Sequence, residues 1–312
     1  MSQASSIVRG EVHPTMSLAP AKSWFYTVSK AIRVHQWAKN VLIFAPLLMS
    51  HTITRESSSA AILAFLCFSF IASANYLLND ILDVESDRQH ITKRFRPIAS
   101  GDLSVPVAIW IAIGLLAGAL TVLHLLPNAF TFWLAVYVAG SLSYSFLLKR
   151  VPVLDVLTLS GLYTIRLLAG GGATGTPISQ WLAGFSTLLF VSLAMIKRFS
   201  ELENLRNRGA SISHGRGYSA SDMEQIRSFG TSSATAAVVV FMLYIGRPDV
   251  TMLYRHPMRL WLIVPLLIYW LFRIWLLASR GELDQDPVVF ALRDRVSLAL
   301  GFFLVVIGCL AV

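Results

Sequence analysis

Of the 312 residues, 55% are hydrophobic and only 14% charged, and the mean hydropathy is +0.63. Soluble globular domains carry charge on about a quarter of their residues, so the composition excludes one and leaves no room for a soluble domain beside several membrane spans. The formal net charge of +9 would raise nucleic-acid binding in a soluble protein; here cations gathered on one side of a membrane account for it, and no nucleic-acid partner is expected.

Residues 1–30 contain no apolar stretch of signal-peptide length, so no cleavable leader is expected. They are predicted to form a poorly ordered cytoplasmic segment, followed by a single transmembrane domain over residues 31–312. Apolar windows fall at about Trp37–Met49, Ala60–Leu78, Val105–Leu126, Ala129–Leu148, Val153–Ala169, Trp181–Ile196, Ile226–Ile245, Leu260–Leu277 and Val296–Val312. With about 20 apolar residues per span, this predicts an all-α integral membrane protein of about nine transmembrane helices. The first window is short, and Val28–Trp37 is expected to extend it as a helix that begins in the headgroup layer. Cys67 and Cys309 lie inside apolar windows and read as small hydrophobes rather than disulfide or zinc partners.

Sorted by these windows, 21 Lys and Arg residues lie on the amino-terminal side, four (Arg55, Arg247, Arg255 and Arg259) lie opposite, and Arg166 is inside a span. That asymmetry predicts a cytoplasmic amino terminus in a cell membrane. Of the acids, only Glu56 and Asp249 fall on the external side, which puts the ionisable chemistry at the cytoplasmic face. A transporter usually has its polar groups near the midplane on interrupted helices.

The second window runs into Asn79-Asp80-x-x-Asp83-x-x-x-Asp87. Spacing of i, i+3, i+7 places Asp80, Asp83 and Asp87 on one face of a continuing helix. A solvated acidic helix end is the plain alternative. Three carboxylates facing anionic lipid are unfavourable, however, and a hard divalent cation relieves their repulsion. Mg²⁺ commonly combines one or two carboxylates with substrate phosphates, and Asn79 can add a neutral oxygen. Behind these acids come Lys93, Arg94 and Arg96, a cluster suited to phosphate oxygens. Together they point to a phosphorylated substrate.

These residues, with Pro97-Ile98-Ala99-Ser100-Gly101, resemble the first signature of the UbiA superfamily of intramembrane prenyltransferases. The segments from Arg33 to Asn40, from Lys197 to Leu202 and from Asp286 to Asp294 resemble the branch that contains decaprenyl-phosphate phosphoribosyltransferase. What the resemblance implies is Mg²⁺-dependent transfer of 5-phosphoribose from phosphoribosyl diphosphate to a polyprenyl phosphate, supplying a polyprenyl-linked arabinose donor. The alternative is transfer of a polyprenyl group from its diphosphate to an aromatic acceptor such as 4-hydroxybenzoate.

Superfamily members usually carry a second acidic, Mg²⁺-binding motif after the sixth span. This chain has Lys197-Arg198-Phe199-Ser200-Glu201 there, as suits a reaction with more phosphates to hold, since buried anions must be paired. The resemblance implies metal binding by Asn79, Asp80, Asp83 and Asp87, and catalytic roles for Asp80, Asp83, Lys197 and Glu201. It implies phosphate binding by Arg33, Lys39, Asn40, Lys93, Arg94, Arg96, Tyr144, Lys149, Lys197 and Arg198. Lys197 and Glu201 could instead form a surface ion pair. Arg33, Gln36, Trp37 and Asn40 are expected on one helix face, with Asn40 needing a polar partner.

Asp155 and Arg166, 11 residues apart, are separated by roughly 16 Å along a helix and cannot pair with each other. Arg166 either snorkels or lines a polar cavity, and the cavity is the favoured reading. Gly170, Gly171 and Gly172 lack any phosphate-loop pattern and read as a helix end and flexible turn. Asp286-Pro287 reads as an N-cap followed by proline at the first helical position.

Overall fold

The structure, a computed structural model, describes residues 23–50, 53–207, 217–283 and 286–312. Of the expected amino-terminal segment, residues 1–22 lie outside those described. Trp24–Ala31 form α1, with Trp24, Phe25 and Tyr26 exposed, as on a helix lying in a membrane interface. The expected continuation of this helix into the first span does not occur. Arg33 takes a left-handed backbone with φ 53°, and Val34–Phe44 then winds as a 3-10 segment before the short helix α2, Ala45–Met49.

The remaining helices are α3 (Arg55–Leu82), α4 (Val84–Gln89), α5 (Val105–Leu123), α6 (Asn128–Phe146), α7 (Leu154–Thr174) and α8 (Gln180–Asn207). They are followed by α9 (Met223–Ile245), α10 (Pro248–Thr251), α11 (Ile263–Ser279), α12 (Pro287–Ala291) and α13 (Arg295–Ala311). Among the described residues seven helical stretches are long and apolar enough to cross a membrane: α3, α5 to α9, and Pro257–Ser279, which ends in α11. The first apolar window is the 3-10 segment with α2, and the last is the 17-residue α13. Large apolar side chains such as Trp110, Leu120 and Phe302 point outward, as expected of a surface solvated by lipid.

Helix α7 is the central element, packed on α3, α6, α8 and the 3-10 segment. Its Leu162, Ala169 and Ala173 join a core with Phe68 of α3 and Phe130 and Leu134 of α6. Val156 and Tyr163 join a second core with Ile196 and Phe199 of α8 and Leu271 and Trp275 of α11. The glycine run is therefore not a flexible turn. Gly170, Gly171 and Gly172 lie within α7, and a Cβ on Gly170 would stand 2.2 Å from the Ile43 carbonyl oxygen. This glycine lets the 3-10 backbone lie directly on α7. The turn follows at Gly175, whose φ of 71° closes the helix.

Three residues per turn put Trp37, Asn40 and Ile43 on one face of the 3-10 segment. Trp37 Nε1 donates to Ser73 Oγ at 2.9 Å and Asn40 Nδ2 to Ser69 Oγ at 3.0 Å, so this face is fastened along α3. Gln36, expected with them, instead lines a surface pocket beside His35 and Val289.

At the start of α13, Asp294 accepts from the Ser297 amide at 2.8 Å and binds the Arg273 guanidinium through both oxygens at 2.7 and 3.0 Å. Burial pushes its carboxyl up, but the hydrogen bonds from Arg273 and Ser297 and the Arg273 charge together outweigh this and lower it to about 2. A depressed folded-state value stabilises the fold fully above the unfolded value near 4, and this is lost as pH falls toward 2. Asp294→Asn is expected to cost roughly 2 kcal/mol at neutral pH. In thermal melts the gap from wild type should hold from pH 7 to about 5 and close below about 4.

Candidate active site

The polar ends of α3, α6, α7 and α8 and the loop before α12 meet at one end of the bundle. There a cavity of about 270 Å³ opens among α3, α6, α7, the 3-10 segment and the turn at Lys93–Phe95. Its wall carries Arg33, Lys39, Lys93, Arg96, Lys149 and Arg166 against only two carboxylates, Asp80 and Asp83. Even with Asp87 and Asp286 paired to wall cations from behind, six cations exceed the carboxylates around them, and the wall is net positive.

The acidic motif splits into two environments. Helix α3 ends at Leu82, and Asp83 caps it and starts α4, with the Asp83 amide on Asn79 and the Asp87 amide on Asp83 preserving helical spacing. Asn79, Asp80 and Asp83 line the cavity. Asp80 is buried and accepts from Arg33 at 2.6 Å and Arg96 at 3.1 Å. Asp87 is also buried, but lies behind the wall, with Arg96 at 2.6 Å and Lys93 at 3.7 Å. One Arg96 guanidinium nitrogen thus ties Asp80 to Asp87. Asn79, Asp80 and Asp83 are hard oxygen donors facing a space suited to phosphate, the donor set Mg²⁺ takes when substrate completes its shell. Among the described residues no three Asp, Glu, His or Cys side chains form a closed metal cage.

Several residues read as phosphate ligands occupy other places. Asn40 is buried outside the cavity, its Oδ1 accepting from Arg166 Nε at 2.9 Å, which supplies the partner an intramembrane amide needs. Arg94 is exposed over the Phe95 ring rather than in the wall. Arg198 is 1% exposed and donates to Asp155 at 2.6 Å, to Glu201 and to Tyr144 Oη at 3.2 Å. It is an internal tie among α6, α7 and α8. Glu201 is its partner, not that of Lys197. Tyr144 reaches both this tie and the cavity.

Lys197 points the other way, to Asp286 at 3.2 Å, and Lys39 binds the same oxygen at 2.9 Å. Asp286 also caps α12 and receives the Tyr163 hydroxyl at 3.4 Å. Burial would raise its carboxyl, but the two ammonium groups prevail and hold it well below the usual carboxylate range. The capping role is real but incomplete: Asp286 joins the start of α12 to the cavity wall through Lys39. Its signal was an acid on the same side of the membrane as unpaired lysines, which local capping chemistry hid. Tyr218, whose hydroxyl donates to Asp155 at 2.6 Å, gave no sequence signal.

Residues 41–307 match the model of the UbiA prenyltransferase family. The chain is 40% identical to an uncharacterized protein, y4nM, of Sinorhizobium fredii over 90% of its length, spanning 54% of that protein. It is 36% identical to the nodulation protein NoeC of Azorhizobium caulinodans, covering 89% of this chain and 91% of that one. Decaprenyl-phosphate phosphoribosyltransferase of Mycobacterium tuberculosis is 37% identical, over 86% of this chain and 88% of that one. A solved UbiA homologue from Archaeoglobus fulgidus bound to GPP and Mg²⁺ superposes with a TM-score of 0.65, covering 90% of this chain and 99% of that one. At 18% identity that likeness establishes the fold.

Proposed function

Because the chain belongs to the UbiA prenyltransferase family and is a multi-pass membrane transferase, we propose that it moves 5-phosphoribose from phosphoribosyl diphosphate to a polyprenyl phosphate of decaprenyl type. The observation that carries this reading is the excess of six cations over two carboxylates in the cavity. An allylic diphosphate and 4-hydroxybenzoate bring two anionic groups, the diphosphate and a single carboxylate. Phosphoribosyl diphosphate and a lipid phosphate bring three.

In this reading a lipid phosphate oxygen attacks the anomeric carbon, the bond to diphosphate breaks, and positive charge develops on the ribose ring. Asn79, Asp80 and Asp83 are the residues that would hold Mg²⁺, which neutralises a diphosphate leaving group. Lys93, Arg96 and Lys149 hold the phosphates from the rim, and Arg33 positions Asp80. Stabilisation by charges fixed in advance suffices, because a phosphate anion is already a nucleophile and needs no base. The distribution of Lys and Arg supports a cytoplasmic cavity in a plasma-type membrane, on the side where a soluble sugar diphosphate is available. The product would supply a polyprenyl-linked arabinose donor.

The test is mass spectrometry of lipids after incubating the purified full-length protein with phosphoribosyl diphosphate, Mg²⁺ and decaprenyl phosphate. The expected product is the lipid phosphate enlarged by one phosphoribosyl group, with diphosphate released. Protein that ignores phosphoribosyl diphosphate and prenylates 4-hydroxybenzoate would replace this reading with the prenyltransferase one.

A further inference from the structure

The inner end of the cavity is rich in donors and poor in acceptors. Arg166 is 7% exposed, and its hydrogen-bond acceptors are all neutral: the Asn40 amide oxygen, the Leu162 carbonyl at 2.6 Å and the Tyr137 hydroxyl at 3.1 Å. Its guanidinium lies 4.8 Å from the Tyr137 ring centre and 5.2 Å from that of Tyr163. Ring contacts attract a cation but do not neutralise it. Among the described residues no carboxylate stands within ion-pairing distance of Arg166, whereas buried Arg198 has two. A buried charge without a counter-ion is costly, and within a membrane such groups mark sites that meet a partner.

Asn75 points the same way independently. It lines the cavity with Arg166, and its buried Nδ2 has no hydrogen-bond partner. It sits two helical turns before Asp83 on α3, roughly 12 Å deeper along the axis. A buried donor left unsatisfied in the free protein costs stability, and an acceptor-rich ligand recovers that cost.

We propose that Arg166 and Asn75 form an inner anion subsite that takes the monophosphate end of a phosphorylated sugar, while the diphosphate stays at the rim beside Asp83. The sugar's identity rests on the reading of the reaction above; the subsite rests on the uncompensated guanidinium and the orphaned amide. An isoprenoid chain has no oxygen to offer these donors, so the subsite also sets the orientation of the donor, with its sugar phosphate inward.

Calorimetric titration of the full-length protein in lipid nanodiscs with ribose 5-phosphate and, separately, inorganic diphosphate tests the assignment. Arg166→Gln is expected to weaken ribose 5-phosphate about ten- to a hundredfold and Asn75→Ala about fivefold, with diphosphate affinity kept within about threefold. Because its Nδ2 has no partner, Asn75→Ala should melt at or above the wild-type temperature, so it carries the test if Arg166→Gln does not fold. Ribose 5-phosphate bound equally by wild type and Asn75→Ala, or diphosphate lost in step with it, overturns the assignment. The reaction is judged apart from this by the lipid product. Product formation without ribose 5-phosphate binding overturns the subsite alone. Selective loss of ribose 5-phosphate in the variants, without any phosphoribosyl lipid from wild type, upholds the subsite and overturns the reaction.

Discussion

Asp83→Ala is expected to lower turnover by about 10²–10³-fold while the protein remains folded and monodisperse, because in the proposed reaction Asp83 would help hold the Mg²⁺ that neutralises the departing diphosphate, a charge that develops mainly in the transition state. Asp83 is the cleanest residue for this test. It is exposed, lines the cavity and ends α3 through its backbone rather than its side chain. Asp80→Ala should be as damaging to turnover, but it also strips Arg33 and Arg96 of the oxygen they share, so its effect mixes chemistry with folding. Asp83→Asn keeps an oxygen but loses the charge. Half-maximal activity should then need about ten- to a hundredfold more Mg²⁺, the range that changes around a metal commonly produce. Turnover by Asp83→Ala within threefold of wild type, at the same Mg²⁺ requirement, would remove this residue from the reaction.

Arg198→Ala is expected to destabilise the fold by about 3–5 kcal/mol, since removing one member of a buried ion pair leaves the other charge unsolvated. The stranded group is Asp155, whose side chain is fully buried and, among the described residues, keeps only Tyr218 as a hydrogen-bond partner. Fluorescence-detected size exclusion of the detergent-solubilised variant should show little monodisperse protein. Asp155→Asn/Arg198→Met, which removes both charges, should recover much of the loss. Lys197→Ala, one residue away, should behave in the opposite way. Its ammonium is partly exposed and shares Asp286 with Lys39, so the variant should fold normally and lose about ten- to a hundredfold in kcat/KM if Lys197 turns to a substrate phosphate. An Arg198→Ala protein that melts like wild type and merely binds phosphate more weakly would restore Arg198 to the substrate site.

Hydropathy and charge are local properties, and they were legible along the chain. The apolar windows coincide with α3, α5 to α9, α11 and α13 because a helix in lipid must be apolar over its whole exposed length. The clustering of Asn79, Asp80 and Asp83 was equally readable, because helical spacing alone brings Asp83 beside the residues four and three before it, Asn79 and Asp80. The first window escaped that logic. A 3-10 segment laid on Gly170 and fastened to Ser69 and Ser73 is chosen by contacts across the bundle, not by the period of its own sequence.

Partner choice among charges belonged to the tertiary structure altogether. Arg198 and Lys197 are adjacent and look interchangeable in sequence, yet a helix turns about 100° per residue, which sends one to Asp155 inside the bundle and the other to Asp286 at its edge. Arg166 meets Asn40 across 126 residues, and Lys39 meets Asp286 across 247. Each ionisable group inside a membrane must find some partner, so the sequence determined that these residues would be paired or would bind a ligand. Which of the two, and with whom, was decided by the packing of α7 between α3, α6 and α8, because buried charges are matched by proximity in space, to which separation along the chain is no guide.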